Sequence, residues 1–406
     1  MKARYQYRIY PRPTQIEPLA KAFGCARVVW NDALWVYKKA FREGLPRPKD
    51  VDKQVITQAK KTEERSWLAE VSNIVLQQSY RDLCTAWNNY FSSLKGKRKG
   101  KPVGKPKLKK KQSRQSIRFR IGGFSVHSQS VKLAKIGHIP IVFSRPLPSE
   151  PSSVTIIKDC SGRYFASFVV EVEQPVSPVT EQSVGIDLGL TYFAILSSGE
   201  KVENPRLHKK MLRKIQKANR RLSKATKGLS RMEESERRKR RKHRLAKLHA
   251  KVKDQRTDFI HKLTTRLVRE NQALAVEDLN VAGMVKNRKL SRAISDAGWS
   301  KFKTTLAAKC DKYGRHLTIV DRWFPSSQKC SCCGESEGKK ELDVREWECL
   351  FCNTIHDRDI NAAENLNRWA GGQSDQYING RGSKCQTTVV AVCVEPSTTP
   401  KQLTLF

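Results

Sequence analysis

The stretch CSCCGESEGKKELDVREWECLFC, residues 330–352, contains two Cys-x-x-Cys pairs that are separated by fifteen residues. Four thiolates at this spacing can close a tetrahedron around one Zn²⁺ ion, and a short segment with little apolar core gains its folding energy from such a metal. Cys332 leaves no two-residue gap to either neighbour, so it is not expected to bind. A complete four-sulfur shell has no open position for water, which predicts one structural zinc ion. The expected ligands are Cys330, Cys333, Cys349 and Cys352.

The six remaining cysteines of the eleven are scattered singly along the chain. Clustering of five cysteines in one segment favours a metal site in a reducing compartment over a disulfide framework. The first residues, MKARYQYRIYPRP, lack the apolar region of a signal peptide, and the longest apolar runs are far shorter than the roughly 18 residues of a membrane span. The expectation is a cytoplasmic protein without a membrane partner.

Charge is the second strong constraint on this chain of 406 residues. It contains 79 Lys and Arg against 39 Asp and Glu, a formal net charge of +40. A compact chain with such an excess repels itself, and the usual compensation is a polyanion whose phosphates are neutralised. An ordinary metabolic enzyme is therefore a poor expectation, and nucleic acid is the first partner to test.

The N-terminal third divides by periodicity. Residues 5–10 have strand character, and apolar stripes at spacings of three and four predict two helices within residues 14–95. In residues 95–111 ten of seventeen are Lys or Arg and none is acidic, which predicts an exposed basic linker that binds phosphates, although a merely solvated loop would have the same composition. The candidate contacts in this linker are Lys105, Lys107, Lys109, Lys110 and Lys111.

The period changes to two between residues 116 and 172, where strands are expected at 116–121, 131–136, 139–143, 154–157 and 164–172. They predict a β-barrel or sheet that the N-terminal strand completes. From residue 183 strands and helices alternate, with one helix expected at about 295–313. A strongly basic helical stretch at 201–260 contains 23 Lys and Arg against 6 acids. Its narrow apolar stripes predict an antiparallel hairpin turning near 227–234, whose basic face either binds nucleic acid or is only solvated.

Acidic residues follow the predicted strands of this α/β layer. Asp187 lies in GIDLG, Glu277 ends AVE, and Asp357 and Asp359 lie in HDRDINAAEN. Polar residues at strand ends are the usual chemical positions of an α/β layer, and carboxylates are the ligands that Mg²⁺ prefers. Position alone does not establish a shared site, because acids this far apart occur in any chain.

An ordered set of motifs resembles the TnpB family of transposon-encoded RNA-guided nucleases, relatives of the type V CRISPR effectors. The motifs are IYPRPTQ, ARVVWNDAL, WLAEV, GIDLGL, AVEDLN, SRAISDAGWSKF, FPSSQKCSCCG and HDRDINAAENL. The resemblance covers about residues 8–367. It implies a multidomain α+β fold, in which a helical recognition domain is inserted in a wedge-type β-barrel and an RNase H-like (RuvC) α/β nuclease domain with an inserted zinc ribbon follows.

The domain boundaries combine the resemblance with the periodicity of the chain. We expect the first barrel strand at 1–13, the helical recognition domain with its basic linker at 14–112, the wedge β-barrel at 113–182, the RuvC-like domain with the basic hairpin at 183–325, the zinc ribbon at 326–355, the last RuvC helix at 356–371 and a disordered tail at 372–406.

The resemblance also implies site residues. Asp187, Glu277 and Asp359 match the family's catalytic acids, which hold two Mg²⁺ ions, with Mn²⁺ able to substitute, and hydrolyse a phosphodiester. Asp357 is then a neighbour that tunes the site or a helix N-terminal acid. Each acid also has an alternative role. Asp187 could be buried without binding a metal, and Glu277 could form an ion pair with a lysine.

The partners implied are a guide RNA from the transposon end and double-stranded target DNA with a short adjacent motif, besides a separate transposase encoded by the same element. Asn73, Ile74 and Gln77 match family positions near the adjacent-motif duplex. Alternative functions are a nuclease-inactive RNA-guided repressor, a zinc-ribbon RNA-binding protein without catalysis, and a transposase proper.

Overall fold

The computed structural model describes residues 1–46, 48–98, 102–111, 114–173, 178–225, 235–341 and 343–370. Two predictions lie outside these residues: the turn of the basic hairpin at 227–234 and the disordered tail at 372–406. Across the described ranges no helix is both long enough and apolar enough to cross a bilayer.

Seven strands form the first sheet, in the order β2-β6-β7-β1-β5-β4-β3. The N-terminal strand β1 lies inside the sheet between β7 and β5, which confirms that it completes the β unit. The strands are β1 (Lys2–Ile9), β2 (Gln115–Arg120), β3 (Phe124–Val126), β4 (Ser130–Leu133), β5 (Gly137–Val142), β6 (Ser153–Lys158) and β7 (Tyr164–Glu171).

The connectivity requires this sheet to curl. Its edge strands β2 and β3 would lie about 29 Å apart in a flat seven-stranded sheet, because neighbouring strands are about 4.8 Å apart. However, only residues 121–123 connect them, and this segment spans at most about 14 Å. The sheet therefore bends round until its two edges approach each other at this turn.

Two long helices, α1 (Pro13–Arg42) and α2 (Asn73–Leu94), cover the curled sheet, with shorter helical turns over residues 53–70 between them. The helices start where Pro13 and Ser72 interrupt extended backbone, and their apolar stripes pack on the strands. Leu19, Leu76 and Phe168 are fully buried in the same core. The predicted helical unit and the sheet are thus joined by one continuous apolar core.

The basic segment 102–111 is bound to helix α1 rather than free. The indole of Trp30 donates to the carbonyl oxygen of Lys107, and Asn31 exchanges two hydrogen bonds with the backbone of Lys109. The Lys109 ammonium lies 3.8 Å from the centre of the Trp30 ring. The prediction of an exposed linker therefore holds for the side chains of Lys105, Lys107, Lys110 and Lys111 but not for the backbone or Lys109.

A second sheet, of five strands in the order β10-β9-β8-β11-β12, begins at residue 183. Strand β11 pairs in parallel with both β8 and β12, whereas β9 and β10 are antiparallel additions. The strands are β8 (Ser183–Asp187), β9 (Tyr192–Leu196), β10 (Lys201–Glu203), β11 (Ala273–Glu277) and β12 (His316–Val320).

Helices cover both faces of the second sheet. On one face Ile186, Val276 and their neighbours pack against α4 and α7 in a shared core, and on the other face lies α8. Gly298 has a φ of +76°, which divides the predicted helix at 295–313 into two. The helices are α3 (Leu207–Lys224), α4 (Glu236–Glu270), α5 (Val281–Met284), α6 (Ser291–Ala297), α7 (Trp299–Tyr313) and α8 (Arg358–Ala370).

The basic helices α3 and α4 pack against each other, as the predicted hairpin requires. Asp296 of α6 holds this pair in place, since its carboxylate accepts from the first amides of α3, those of His208 and Lys209, and pairs with Arg256 of α4 at 2.9 Å. A short antiparallel pair, β13 (Glu346–Glu348) and β14 (Ile355–Asp357), precedes α8 directly.

Candidate active site and cysteine cluster

Two of the predicted acids end adjacent parallel strands. Asp187 is the last residue of β8 and Glu277 the last residue of β11. Because Ile186 pairs with Val276 in the register between these strands, the two carboxylates follow side by side at the same edge of the sheet. The strand-end positions seen in the sequence are therefore neighbours in space.

The third acid arrives on helix α8, which packs unusually close to β8. A Cβ built on Gly185 would lie 1.9 Å from the carbonyl oxygen of Ala363 and 2.5 Å from the amide nitrogen of Asn367, distances that real atoms cannot share. Side chains alternate along a strand, so Gly185 and Asp187 face the same side, toward the helix. The missing side chain lets α8 approach, and its first turn brings Asp359 to Asp187.

The electrostatics of Asp187 reflect this arrangement. Burial, followed by the charges of Glu277 and Asp359, raises the pKa of Asp187 to about 8. Burial also raises the pKa of Glu277, although the hydroxyl of Ser326 donates to its Oε1 at 2.8 Å and lowers it. Burial and the two neighbouring carboxylates therefore both disfavour the charged form of Asp187.

Glu277 and the next residue, Asp278, have separate roles. Asp278 pairs with Lys303 and with Arg322, and both ion pairs lower its pKa. Among the described residues, Glu277 has a hydrogen bond with the hydroxyl of Ser326. The alternative in which Glu277 pairs with a lysine is therefore not what the structure contains; its neighbour binds the cations.

Asp357 lies at the start of helix α8. Its Oδ1 accepts from the amides of Asp359 and Ile360 at 3.0 and 3.1 Å, and its Oδ2 pairs with Lys201 at 2.6 Å. Burial raises its pKa, but these partners lower it further and the net shift is downward. Of the two roles considered for Asp357, the helix N-terminal acid describes its geometry.

Asp359 is partly exposed. Its side chain is 32% exposed, and Oδ2 lies 3.4 Å from Nη1 of Arg345 in the segment that leads into β13. Arg345 itself is largely in solvent, so the pair contributes little to stability. The carboxylate therefore remains accessible to solvent at the end of the sheet.

The four cysteines expected to bind zinc are brought together. All four Sγ atoms lie within 4.8 Å of one another, with 3.6 Å between Cys330 and Cys352 and between Cys333 and Cys349. A tetrahedral Zn²⁺ with bonds of about 2.3 Å has sulfur atoms about 3.8 Å apart, so the donor set fits this ion. Cys332 is outside the cluster; its side chain is exposed and its amide donates to Sγ of Cys330.

Two buried asparagines connect the cysteine cluster to the acids. The side-chain amides of Asn361 and Asn365 on α8 donate to the carbonyl oxygens of Lys329 and Ser326, and Asn361 accepts from the amide of Ser331. They hold the segment in which Ser326 contacts Glu277. Sequence reasoning missed these three residues, for which the one available signal was their place in the family motifs.

The predicted DNA-reading residues lie at the start of α2. Asn73 and Gln77 are exposed there, whereas Cδ1 of Ile74 packs against the turn at Gly123, and Lys60 donates to Oδ1 of Asn73 at 3.0 Å. Their role in reading an adjacent motif stays a prediction.

Three family models match the chain. Residues 167–288 match the OrfB family of IS605 elements, described as "Probable transposase", and residues 299–366 match "Cas12f1-like, TNB domain". Residues 1–45 match "Helix-turn-helix domain"; in this structure they contain strand β1 and the single long helix α1.

Two relatives match along most of their length. A protein of Streptomyces pristinaespiralis named "Putative RNA-guided DNA endonuclease" is 42% identical over 370 residues, 90% of this chain and 89% of the relative. "Putative RNA-guided DNA endonuclease InsQ" of Escherichia coli K12 is 26% identical over 383 residues, 89% of this chain and 90% of the relative.

A solved structure has the same architecture. The "Cryo-EM structure of the Cas12f1-sgRNA-target DNA complex" superimposes with a TM-score of 0.54 at 13% identity and covers 87% of this chain and 82% of that chain. At this identity the likeness concerns the fold alone, a multidomain α+β arrangement with a curled sheet.

Proposed function

Because the chain belongs to the TnpB family of RNA-guided DNA endonucleases, we propose that Asp187, Glu277 and Asp359 form its nuclease centre and hold two Mg²⁺ ions for the hydrolysis of target DNA. The observation that carries the proposal is the convergence of the three acids. Two of them end adjacent parallel strands. The third lies on helix α8, which can pack this closely on β8 because Gly185 has no side chain. The mixed five-stranded sheet with helices on both faces supports an RNase H-like domain of the RuvC type.

The donor set fits a hard divalent cation. Carboxylate oxygens are the preferred ligands of Mg²⁺, and since burial raises the pKa of Asp187 and Glu277, a bound cation would favour their charged forms. Bound Mg²⁺ supplies activation of a water molecule and stabilisation of the leaving oxygen of a phosphodiester. Mn²⁺ has the same ligand preference and should substitute.

The chain's own residues prepare this site. The Ser326 hydroxyl fixes the carboxylate of Glu277 and favours its charged form. Asp357 fixes the first turn of α8, so that Asp359 keeps its orientation, and the pair of Asp357 with Lys201 leaves that acid unavailable as a competing ligand. Lys303 and Arg322 neutralise Asp278 in the same way. Of the three acids of the nuclease centre, Asp187 and Glu277 have no ion pair among the described residues, and Asp359 has only the solvent-exposed pair with Arg345.

The cysteine cluster is proposed to hold one structural Zn²⁺ ion. All four positions of a tetrahedron are taken by sulfur, which excludes a coordinated water and therefore a hydrolytic role for this metal. The metal would stabilise the segment 326–357, whose two ends contact Glu277 through Ser326 and begin α8 through Asp357.

The partners proposed are a guide RNA transcribed from the transposon end and a target duplex with a short adjacent motif, with a separate transposase from the same element. A net charge of +40, with the basic helices α3 and α4 and the basic segment 102–111, supplies the phosphate contacts such a complex needs. Target sequence is then read by base pairing with the guide. These partners place the protein in the bacterial cytoplasm.

A nuclease-inactive RNA-guided repressor is the main alternative. It would be expected to have lost an acid or its supporting contacts, whereas this chain has all three acids and the Ser326 contact. A paired assay distinguishes the two functions. With guide RNA and matched duplex, Asp187→Asn should retain the gel shift and lose the Mg²⁺-dependent product. Cleavage that survives this substitution would exclude the site as the nuclease centre.

A further inference from the structure

The turn between β12 and the cysteine cluster contacts Glu277 at both of its ends. Val320, the last residue of β12, pairs with Glu277 in the sheet register, and Ser326 donates its hydroxyl hydrogen to the Glu277 carboxylate. Trp323 lies midway, three residues from each contact. Since three residues span at most about 11 Å, its backbone is within that distance of both contacts.

The turn is fixed on both sides of Trp323. The Trp323 amide donates to Oδ1 of Asp321 at 2.8 Å, and the preceding Arg322 forms an ion pair with Asp278. The following Phe324 packs edge-to-face on Trp369 of α8, with ring centres 5.5 Å apart. The backbone at Trp323 is therefore held in one orientation before any partner binds.

The indole of Trp323 nevertheless lies in solvent. It is 85% exposed, the highest value among the large apolar side chains of the described residues. Its two neighbours in sequence are anchored, so mobility of the turn does not explain the exposure. Tryptophan is enriched at interfaces because its ring offers a large apolar face, so an exposed indole on an anchored turn beside a polar site is a candidate contact.

We propose that Trp323 is a stacking platform for one unpaired nucleobase of the DNA strand that enters the nuclease centre. The inference rests on the proposed function, because the occupant is defined by the substrate of the three acids. When a phosphodiester lies at the acids, the bases on either side of it would come within reach of the turn that carries Trp323, whose backbone is at most about 11 Å from the Glu277 contacts. Every base has an aromatic face, so such a contact accepts any sequence, as a guide-programmed enzyme requires.

Stacking can be measured without cleavage. The complex of the Asp187→Asn chain with guide RNA is combined with targets in which 2-aminopurine, a base whose fluorescence falls when it stacks, occupies successive positions of each strand. We expect quenching at one position near the cut, and Trp323→Ala should abolish it. Trp323→Phe should retain it, because a phenyl ring still stacks. If the chains with and without Trp323→Ala showed the same quenching at every position, the proposal would be overturned.

Cleavage provides the functional readout. In single-turnover assays Trp323→Ala should slow cleavage about tenfold, in line with the loss of one base–aromatic stack. An abasic nucleotide at the position that Trp323 quenches should slow the wild-type protein about as much and should not slow Trp323→Ala further. Additive effects of the two changes would contradict a direct contact.

Trp35 offers a matched control, since it is also a tryptophan in solvent, 63% exposed, but on helix α1. Trp35→Ala should leave both the quenched position and the abasic effect as in the wild type. If the wild-type complex bound target, showed quenching that depends on Trp323 and yet did not cleave with Mg²⁺, the proposed function would fail while the stacking platform would stand.

Discussion

Gly185 of β8 lies directly under the carbonyl oxygen of Ala363 on α8, where a Cβ would be 1.9 Å from that oxygen. Backbone, not a flexible side chain, fills the space, so an alanine can be accommodated only if the helix moves. Asp359 is four residues before Ala363, about one helical turn, and shares any displacement of the helix.

Gly185→Ala should therefore impair both stability and cleavage. Overpacking of this kind costs about 1–3 kcal/mol, and displacement of Asp359 should lower cleavage more strongly than binding of guide RNA. Thermal denaturation and a cleavage assay measure the two effects. Gly24→Ala is a suitable control, because Gly24 lies within α1 with nothing within 4 Å of a built Cβ and the substitution should be neutral or stabilising. Equal behaviour of the two variants would mean that the helix tolerates a side chain at Gly185.

The stability of the Mg²⁺-free protein should depend on pH through Asp187. The folded chain, with a pKa of about 8 at Asp187, keeps a proton that the unfolded chain releases near its ordinary value of about 3.9. Stability should therefore fall as pH rises from about 4 to about 8, by at most about 1.4 kcal/mol per pH unit for this group. Asp187→Asn should flatten the curve of melting temperature against pH in Mg²⁺-free buffer. Parallel curves for the two proteins would contradict the burial of this charge.

The cysteine cluster predicts a difference between neighbouring thiols. The purified chain should contain one Zn²⁺, and Cys349→Ser should lose it together with the fold of the segment around it, because Cys349 is buried in the cluster. Cys332→Ser should keep the metal, since that thiol lies outside the cluster of four sulfur atoms. Metal analysis of both variants measures this, and loss of zinc from Cys332→Ser alone would invalidate the ligand assignment.

Ser326 should act on catalysis through Glu277. Ser326→Ala removes the hydroxyl that favours the charged carboxylate, so cleavage should fall by about tenfold with target binding unchanged, as for other groups that orient metal ligands. The low-pH limb of the rate profile should also move to higher pH, because the pKa of Glu277 rises. Ser326→Thr retains a hydroxyl and should recover most of the rate. A lower rate with an unshifted profile would indicate a packing role for Ser326.

The lysines of the basic segment should not be equivalent. Burial lowers the pKa of Lys109, and its ammonium lies over Trp30, whereas Lys107, Lys110 and Lys111 are exposed. Replacing these three by alanine should reduce the slope of log K against log salt for guide RNA by about 2 to 3. Lys109→Ala should leave the slope unchanged and lower the melting temperature. An unchanged slope in the triple variant would show that these lysines are only solvated.

Periodicity predicted the strands where alternate side chains face one core. The prediction for 164–172 agrees with β7 because Tyr164, Ala166 and Phe168 all point into the curled sheet. Periodicity did not predict the four shortest strands, because each has only three residues and too few alternations to be recognised; these are β3, β10, β13 and β14. The interruption of the helix at Gly298 was not predicted either, because a single glycine within an apolar stripe leaves the stripe intact.

The site was predictable in part for a physical reason. Strand ends identify Asp187 and Glu277 as candidates for one edge of a sheet, but the arrival of Asp359 depends on how closely α8 packs on Gly185, a tertiary contact with no local pattern. The binding of segment 102–111 to Trp30 and Asn31 has even less sequence signal, because mainly its carbonyl and amide groups are bound. Such backbone contacts can be formed by any residue type.

The position of β1 inside the curled sheet also constrains the order of events during synthesis. Strand β1 pairs along its whole length with β7, from Lys2 with Glu171 to Ile9 with Tyr164. Its partner leaves the ribosome only after more than 150 further residues, about 8 to 30 seconds at ordinary rates of translation. During that interval Tyr7 and Ile9, which are fully buried in the finished protein, lack the completed sheet that covers them. The nascent chain must therefore keep the edge of β1 that faces β7 unpaired until this last strand emerges, which makes the interval the stage at which a chaperone would bind.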